Sequence, residues 1–273
     1  MTAAEDLATQ VRNHPEWYHT IEVAPDMVTP GWFDTRRVVD RVLLPPSLKG
    51  KRCLDIGTFD GFWAYEMERR GADEVVAIDV DDRRTWDWPG NTRPEDIDEF
   101  VQRAPQGEGF RIVHEAIGSQ VQREDRSVYA LDPSEVGVFD FVYMGSLLLH
   151  LRDPVGALEA VRSVCRGQLL VVDLIDLPLT TVFPRRPIGC LDGVGRPWWW
   201  RPNLACLTRF IEAAGFRLEQ RPQRFFMPPG PGHPPASLRP SALRHQAGRE
   251  AALRTRLGDP HAAVLARPIK AHE

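Results

Sequence analysis

The chain has 273 residues, 42% hydrophobic and 26% charged, so it can bury a sizeable core and does not read as disordered. Its formal net charge of -4 argues against a general nucleic-acid coat or a binder of anionic membranes, both of which need a basic excess. Cys53, Cys165, Cys190 and Cys206 form no CxxC pair, no apolar run reaches membrane-spanning length, and the acidic, polar start MTAAEDLATQ does not suit a secretory signal, so a reduced cytoplasmic location is expected.

Residues 3–13 predict a short helix, with Leu7 and Val11 four apart on one face. Residues 13–35, NHPEWYHTIEVAPDMVTPGWFDT, read as an ordered but irregular segment. Val38, Val39, Val42 and Leu43 have helical spacing, stopped by Pro45 and Pro46. From residue 51 strands and helices alternate. KRCLDIG is a buried strand and FWAYEMERRGA a helix ended at Gly71. DEVVAIDVDD is a second strand, FRIVHEAIG a third, and VFDFVYMGSLLLHL a fourth that runs into a loop. DPVGALEAVRSVC is a helix with Asp153 as N-cap and Pro154 at its first position. GQLLVVDLIDL is a fifth strand, NLACLTRFIEAAGF a helix closed by Gly215, FRLEQRPQ a sixth strand and residues 261–269 a seventh.

The strands are continuous apolar runs, the mark of a sheet covered on both faces. Right-handed crossovers then give a doubly wound, mostly parallel, seven-stranded α/β sheet whose last two strands pair as an antiparallel edge. Residues 49–273 form this main domain, with insertions at about 82–108 and 227–260, and residues 1–48 precede it.

Ligands of such sheets bind beyond the carboxyl ends of the strands, so the first turn, DIGTFDG, is the place to look. A dinucleotide fingerprint needs G-x-G-x-x-G, its second glycine admitting the pyrophosphate. Here the order is Gly57, Phe59, Gly61, and Phe59 is a poor neighbour for phosphate. A ligand without phosphates has no such requirement. Asp79 ends the second strand, 22 residues after Gly57, where a carboxylate accepts from ribose hydroxyls.

Together these features resemble the class I S-adenosylmethionine-dependent methyltransferases, which have a Rossmann-like fold. The resemblance implies S-adenosylmethionine as cofactor. Asp55, Gly57, Thr58 and Gly61 would line its methionine side, Asp79 would hold ribose, and Ala116 and Ile117 would contact adenine. Met144 and Gly145 would end the fourth motif. WYHTIEV, TPGWFD, LLLHLRDP and WWWRPN further resemble, over about residues 14–220, the tRNA wobble-uridine carboxymethyl and methoxy-uridine methyltransferases. Two positions depart from the carboxymethyl enzymes. A tyrosine before the motif-four histidine is Leu149 here, and the N-terminal lysine that meets the extra carboxylate of carboxy-S-adenosylmethionine has no counterpart between Asn13 and Leu48. A carboxylate without a cationic partner in a closed pocket is costly. The expectation is therefore plain methyl transfer to a small-molecule acceptor at oxygen. A tRNA wobble-uridine enzyme is the second reading, and a SAM-binding protein without catalysis the third.

His150, just past the fourth strand, is expected either as a general base or as a structural histidine bonded to a loop carbonyl. His19 fits catalysis less well than a packed place in the N-terminal segment. In this architecture that segment folds over the cofactor as a lid. Phe33 would bring an aromatic face to the sulfonium, or simply pack in the core, and Tyr18 is expected on the substrate side. Trp198, Trp199 and Trp200 suggest either a substrate-side wall, made chiefly by Trp199 and Trp200, or a packed loop. Asn203 suits a helix cap, and no metal cluster is visible. Arg239, Arg244, Arg249, Arg254 and Arg256 would contact tRNA phosphates or form a solvated face.

Overall fold

Thr2 opens the first helix, α1 (Ala3–Asn13), with a capping box: its hydroxyl accepts from the Glu5 N–H and its own N–H donates to the Glu5 carboxylate. The structure, a computed structural model, describes residues 2–102, 106–234, 241, 244–245 and 254–269. After α1 the chain runs irregularly through a small ribbon, β1 (Glu22–Ala24) against β2 (Met27–Val28). The helix expected from residue 36 does not form. Two 3-10 turns, Thr35–Arg37 and Val39–Arg41, stand in its place, with Val38 and Val42 buried. Three β-branched valines lose rotamer freedom in an α-helix, and burial from turns satisfies them equally well.

The alternating part follows as β3 (Arg52–Ile56), α2 (Phe62–Arg69), β4 (Glu74–Asp79), α3 (Pro94–Gln102), α4 (Glu108–Ile117), β5 (Gln122–Asp125), α5 (Pro133–Val136), β6 (Phe139–Gly145), α6 (Pro154–Val164) and β7 (Cys165–Leu174). Then come α7 (Leu177–Val182), a ribbon of β8 (Gly189–Leu191) and β9 (Trp200–Pro202), α8 (Leu204–Ala213), β10 (Phe216–Leu218), β11 (Gln223–Met227) and β12 (Asp259–Pro268). The main sheet has the order β10-β12-β7-β6-β3-β4-β5, with β11 also paired to β12. Strands β5, β4, β3, β6 and β7 are mutually parallel. Strand β12 runs antiparallel to β7, β10 and β11. This is the doubly wound sheet expected, with its antiparallel pairing on the β7 side.

Two elements differ from the sequence reading. FRIVHEAIG is not the third strand but most of α4, set between the left-handed Gly107 and Gly118. Phe110 and Val113 lie three apart on its buried face. The third strand is QRED, polar because it is the sheet's edge and needs no continuous apolar run. The expected sixth strand is split around Pro222 into β10 and β11, which meet opposite ends of β12. The reversed strand β12 therefore lies one place in from the edge.

Each face of the sheet has its own core. Leu54, Ile56, Val76, Met144, Leu169 and Val171 pack on one side with α6 and α8. Cys53, Ala77, Phe141, Tyr143 and Val172 pack on the other with α2 and α4. Trp17, Ile21, Phe33, Val42 and Leu48 belong to this second core, so the N-terminal segment is built into the domain.

Candidate functional site

Strand β3 ends in a turn stitched to its neighbour. The N–H groups of Gly57 and Thr58 both donate to the Ile78 carbonyl, at 2.9 and 3.1 Å. Gly57 has φ +74°, and a Cβ there would lie 3.2 Å from Leu147 Cδ2, so the turn requires glycine twice over. Phe59 is also left-handed, at φ +51°, a conformation costly for a bulky residue. Its ring leaves the turn and packs near Tyr18 and Arg83. The Phe59 N–H donates to Asp79 Oδ2 at 2.7 Å and the Val80 N–H to Oδ1 at 2.8 Å. Each Asp79 oxygen keeps further accepting capacity, as a ribose diol requires.

Asp55 is buried beneath the turn, and desolvation pushes its carboxyl up to about 7. Its Oδ2 and the Thr58 hydroxyl are buried without a well-aligned hydrogen bond. Burial raises Asp79 as well. Two desolvated carboxylates with accepting capacity to spare, beside a glycine turn, fit a cationic ligand carrying an ammonium and a ribose. S-adenosylmethionine has both, and its sulfonium adds a second positive charge.

The N-terminal segment is clamped onto this turn by Asp60, which the sequence reading did not single out. Asp60 accepts from the Tyr18 N–H at 2.9 Å, from the His19 N–H at 2.7 Å and from the His19 imidazole Nδ1. His19 also stacks on Phe62. The imidazole is thus an anchor for the segment, which argues against the catalytic role considered for it. Phe33 pairs with the same segment: its N–H donates to the Tyr18 carbonyl, and its ring meets Tyr18 and His261.

Ala116 and Ile117 end helix α4, and Ile117 is exposed. They do not stand at the strand end where adenine contacts were expected. That place belongs to Asp125, which pairs in register with Asp79, and to Arg126, whose N–H donates to the Asp79 carbonyl. The Met144 side chain is fully buried in the core against α6, so only its backbone reaches the strand end. Gly145 beside it lies so close to the Tyr143 ring that no side chain would fit.

His150 lies in the turn after β6. Its Nδ1 donates to the Pro197 carbonyl at 2.8 Å, and burial lowers its pKa. Leu149, before it, accepts the Trp199 N–H at 2.7 Å. The Trp199 indole donates to the Asp87 carbonyl at 2.6 Å, and the Trp200 indole to the Arg152 carbonyl at 3.2 Å. Arg152 stacks over Trp199. These tryptophans staple the insertion after β4 to the loop after β6, the packed-loop alternative to a bare substrate wall. His150 is part of the same staple. Asn203 caps α8, as expected.

A second cluster stands at the carboxyl ends of β6 and β7. Asp173 accepts the N–H groups of Leu148 and Leu174, and burial pushes it up to about 7. Ser146, left-handed at φ +49°, faces His261 and Tyr18. Ser146 and His261 are far apart in sequence, and only the position of β12 beside β7 reveals them. No group of His, Cys, Asp and Glu among the described residues could hold a metal, and no described helix is long and apolar enough to cross a membrane. Arg239 and Arg249 lie outside the described residues. Arg254 forms an ion pair with Asp259 at the start of β12.

A family model described as a methyltransferase domain matches residues 34–221. A tRNA U34 carboxymethyltransferase of Dichelobacter nodosus is 28% identical over 180 residues, covering 63% of this chain and 48% of that protein. Its counterpart from Pseudomonas putida is 24% identical over 174 residues, covering 62% and 46%. The chain thus spans about half the length of these curated relatives. Among solved structures, the N-terminal domain of EvdMO1, in the presence of SAH and D-fucose, is similar with a TM-score of 0.54. It is 16% identical, with 98% of each chain covered. The [4+2]-cyclase SpnF is similar with a TM-score of 0.51 and 17% identity, covering 98% of this chain and 93% of that one. At these identities the structural likeness carries the fold.

Proposed function

We propose, from the premise that this chain belongs to the methyltransferase-domain family and uses S-adenosylmethionine, that it transfers a methyl group to a hydroxyl of a small-molecule acceptor. The observation that carries this reading is the composition of the cluster past β6 and β7. Tyr18, Ser146, Asp173 and His261 meet there, with hydroxyls, an imidazole and a carboxylate but no cation among them. A carboxymethyl group on the sulfur would bring a carboxylate into a cluster whose four side chains include the Asp173 carboxylate and neither lysine nor arginine. A plain methyl brings no such charge.

The cofactor supplies an electrophilic methyl carbon on a sulfonium. Asp55, Gly57 and Thr58 would hold its methionine end and Asp79 its ribose, while the Tyr18 and Phe33 rings close the site from the N-terminal segment. Positioning is the main contribution expected of the protein in such a displacement, together with acceptance of one proton.

The curated relatives support a second reading, in which the acceptor is a tRNA wobble uridine. Calorimetric titration separates the two. S-adenosylmethionine and S-adenosylhomocysteine should bind, with Asp79→Ala weakening both at least tenfold, and carboxy-S-adenosylmethionine should bind more weakly than either. Preference for the carboxy form, together with salt-sensitive tRNA binding, would replace the small-molecule reading with the tRNA one.

A further inference from the structure

A methyl acceptor that is a hydroxyl must lose its proton as the new bond forms, and the histidines suggested by the sequence are committed elsewhere. His19 is held by Asp60; His150 donates its Nδ1 to the Pro197 carbonyl, which leaves its Nε2 as bare as that of His261, but its ring packs edge-on to Trp198 in the tryptophan staple. His261 is placed differently. Its Nδ1 donates to the Asp259 carbonyl at 2.9 Å, which leaves the lone pair on Nε2. Ser146 Oγ lies 3.3 Å from that Nε2 and donates to it. The Tyr18 phenol is within hydrogen-bonding reach of the same hydroxyl.

Ser146 is held in this arrangement against its own backbone preference. It is left-handed at φ +49° while its N–H donates to the Val172 carbonyl at 2.7 Å. Such strain in a residue other than glycine persists where the surrounding fold enforces it. The site is also adjacent to the cofactor turn. Leu147, the next residue, packs on Gly57, and the Tyr18 N–H is tied to Asp60 in that turn.

We propose that Ser146 and His261 together take the proton of the acceptor hydroxyl, Ser146 touching it and His261 acting through Ser146. The proposal rests on the hydroxyl-acceptor reading above. As the acceptor oxygen attacks the methyl carbon, its proton passes to Ser146 Oγ while the Ser146 proton passes to His261 Nε2. The carbon–oxygen bond forms, and the carbon–sulfur bond breaks with its electron pair left on sulfur. The imidazolium then returns its proton to solvent. Burial favours the neutral imidazole that this step needs. The titratable groups around it are Tyr18, reached through Ser146, and Asp259, which is paired with Arg254; Asp173 lies near Tyr18.

The test compares wild type, His261→Asn, Ser146→Ala and Ser146→Gly with two kinds of nucleophile. One is a panel of phenols and sugar hydroxyls, and the other is iodide, which has no proton to lose. Ser146→Gly removes the hydroxyl while relaxing the left-handed backbone, so it guards against a folding defect. The proposal expects kcat on hydroxyls to fall about 100-fold or more in the three variants. KM should change little, and methyl iodide formation should stay within twofold of wild type. The acidic limb of the hydroxyl pH profile should vanish in His261→Asn. Nitrogen NMR of the cofactor-free protein should show His261 protonated at Nδ1 and bare at Nε2, with the Nε2 resonance moving in Ser146→Gly. Equal losses on both nucleophiles, losses confined to a His150→Asn variant, or a proton resident on Nε2 would overturn the proposal. A wild type that methylates iodide but none of the hydroxyls would overturn the hydroxyl-acceptor reading, and the proposal with it.

Discussion

Asp55 concentrates the trade between stability and binding in a single side chain. Its carboxyl titrates near 7 in the folded protein and near 4 in an unfolded chain. The raised value means that the folded state holds more protons between those limits. The ligand-free protein should therefore lose stability as pH rises from about 4 to about 7. Asp173 shares this window, so Asp55→Asn should reduce the slope without abolishing it. The variant should be more stable than wild type at pH 8, by an amount on the order of 1–3 kcal/mol in denaturant titrations. It should also bind S-adenosylmethionine at least tenfold more weakly, because a neutral amide cannot offset an ammonium or a sulfonium. Binding to the wild type near pH 7 should release protons, visible as a dependence of calorimetric heat on buffer ionisation enthalpy. Unchanged affinity in Asp55→Asn would remove Asp55 from the site. The sequence nominated Asp79 from its spacing after Gly57 and Asp55 from the family resemblance of one turn. Asp60 sits in the same turn, yet its partners are 41 and 42 residues away, and no local pattern announces them.

The N-terminal segment and the cofactor turn behave as one unit because three bonds from Tyr18 and His19 converge on Asp60. Removing one partner of such a buried network leaves the others unsatisfied, a larger loss than any single bond suggests. Asp60→Ala should free the segment around residues 14–34 for cleavage by a protease, and S-adenosylhomocysteine should no longer protect it. Equal protease resistance in the variant and wild type would show that the segment is held by its apolar contacts alone. The sequence was least legible where an element's job is positional. Helix α4 carries a short apolar run that reads as a strand, whereas the true strand β5 is a polar edge. Val38 and Val42 kept their burial and lost their helix, because side-chain periodicity records which residues are covered and not the backbone that covers them.

Across the whole molecule, the candidate site is a seam between the N-terminal segment, the residues after β4 and the carboxyl ends of the strands. Ligand binding at such a seam should stabilise all three together. At a hundredfold excess over Kd, S-adenosylhomocysteine should add about 2.7 kcal/mol, raising the melting temperature by roughly 5–10 °C. The fold class was legible from alternation and composition, because a sheet covered on both faces imposes continuous apolar strands. The meeting of Ser146 with His261 was not, because it depends on which neighbour β12 chooses. That choice bears on how the protein is made. Strand β12 follows the other described strands in chain order, yet it lies between β7 and the pair formed by β10 and β11. A nascent chain that has not yet reached residue 259 holds those strands with one flank bare, and it lacks His261 as well. Closure of the sheet and arrival of the imidazole are thus one event, set by the ribosome's progress through β12. A stalled or truncated product is unfinished in architecture and in chemistry at once.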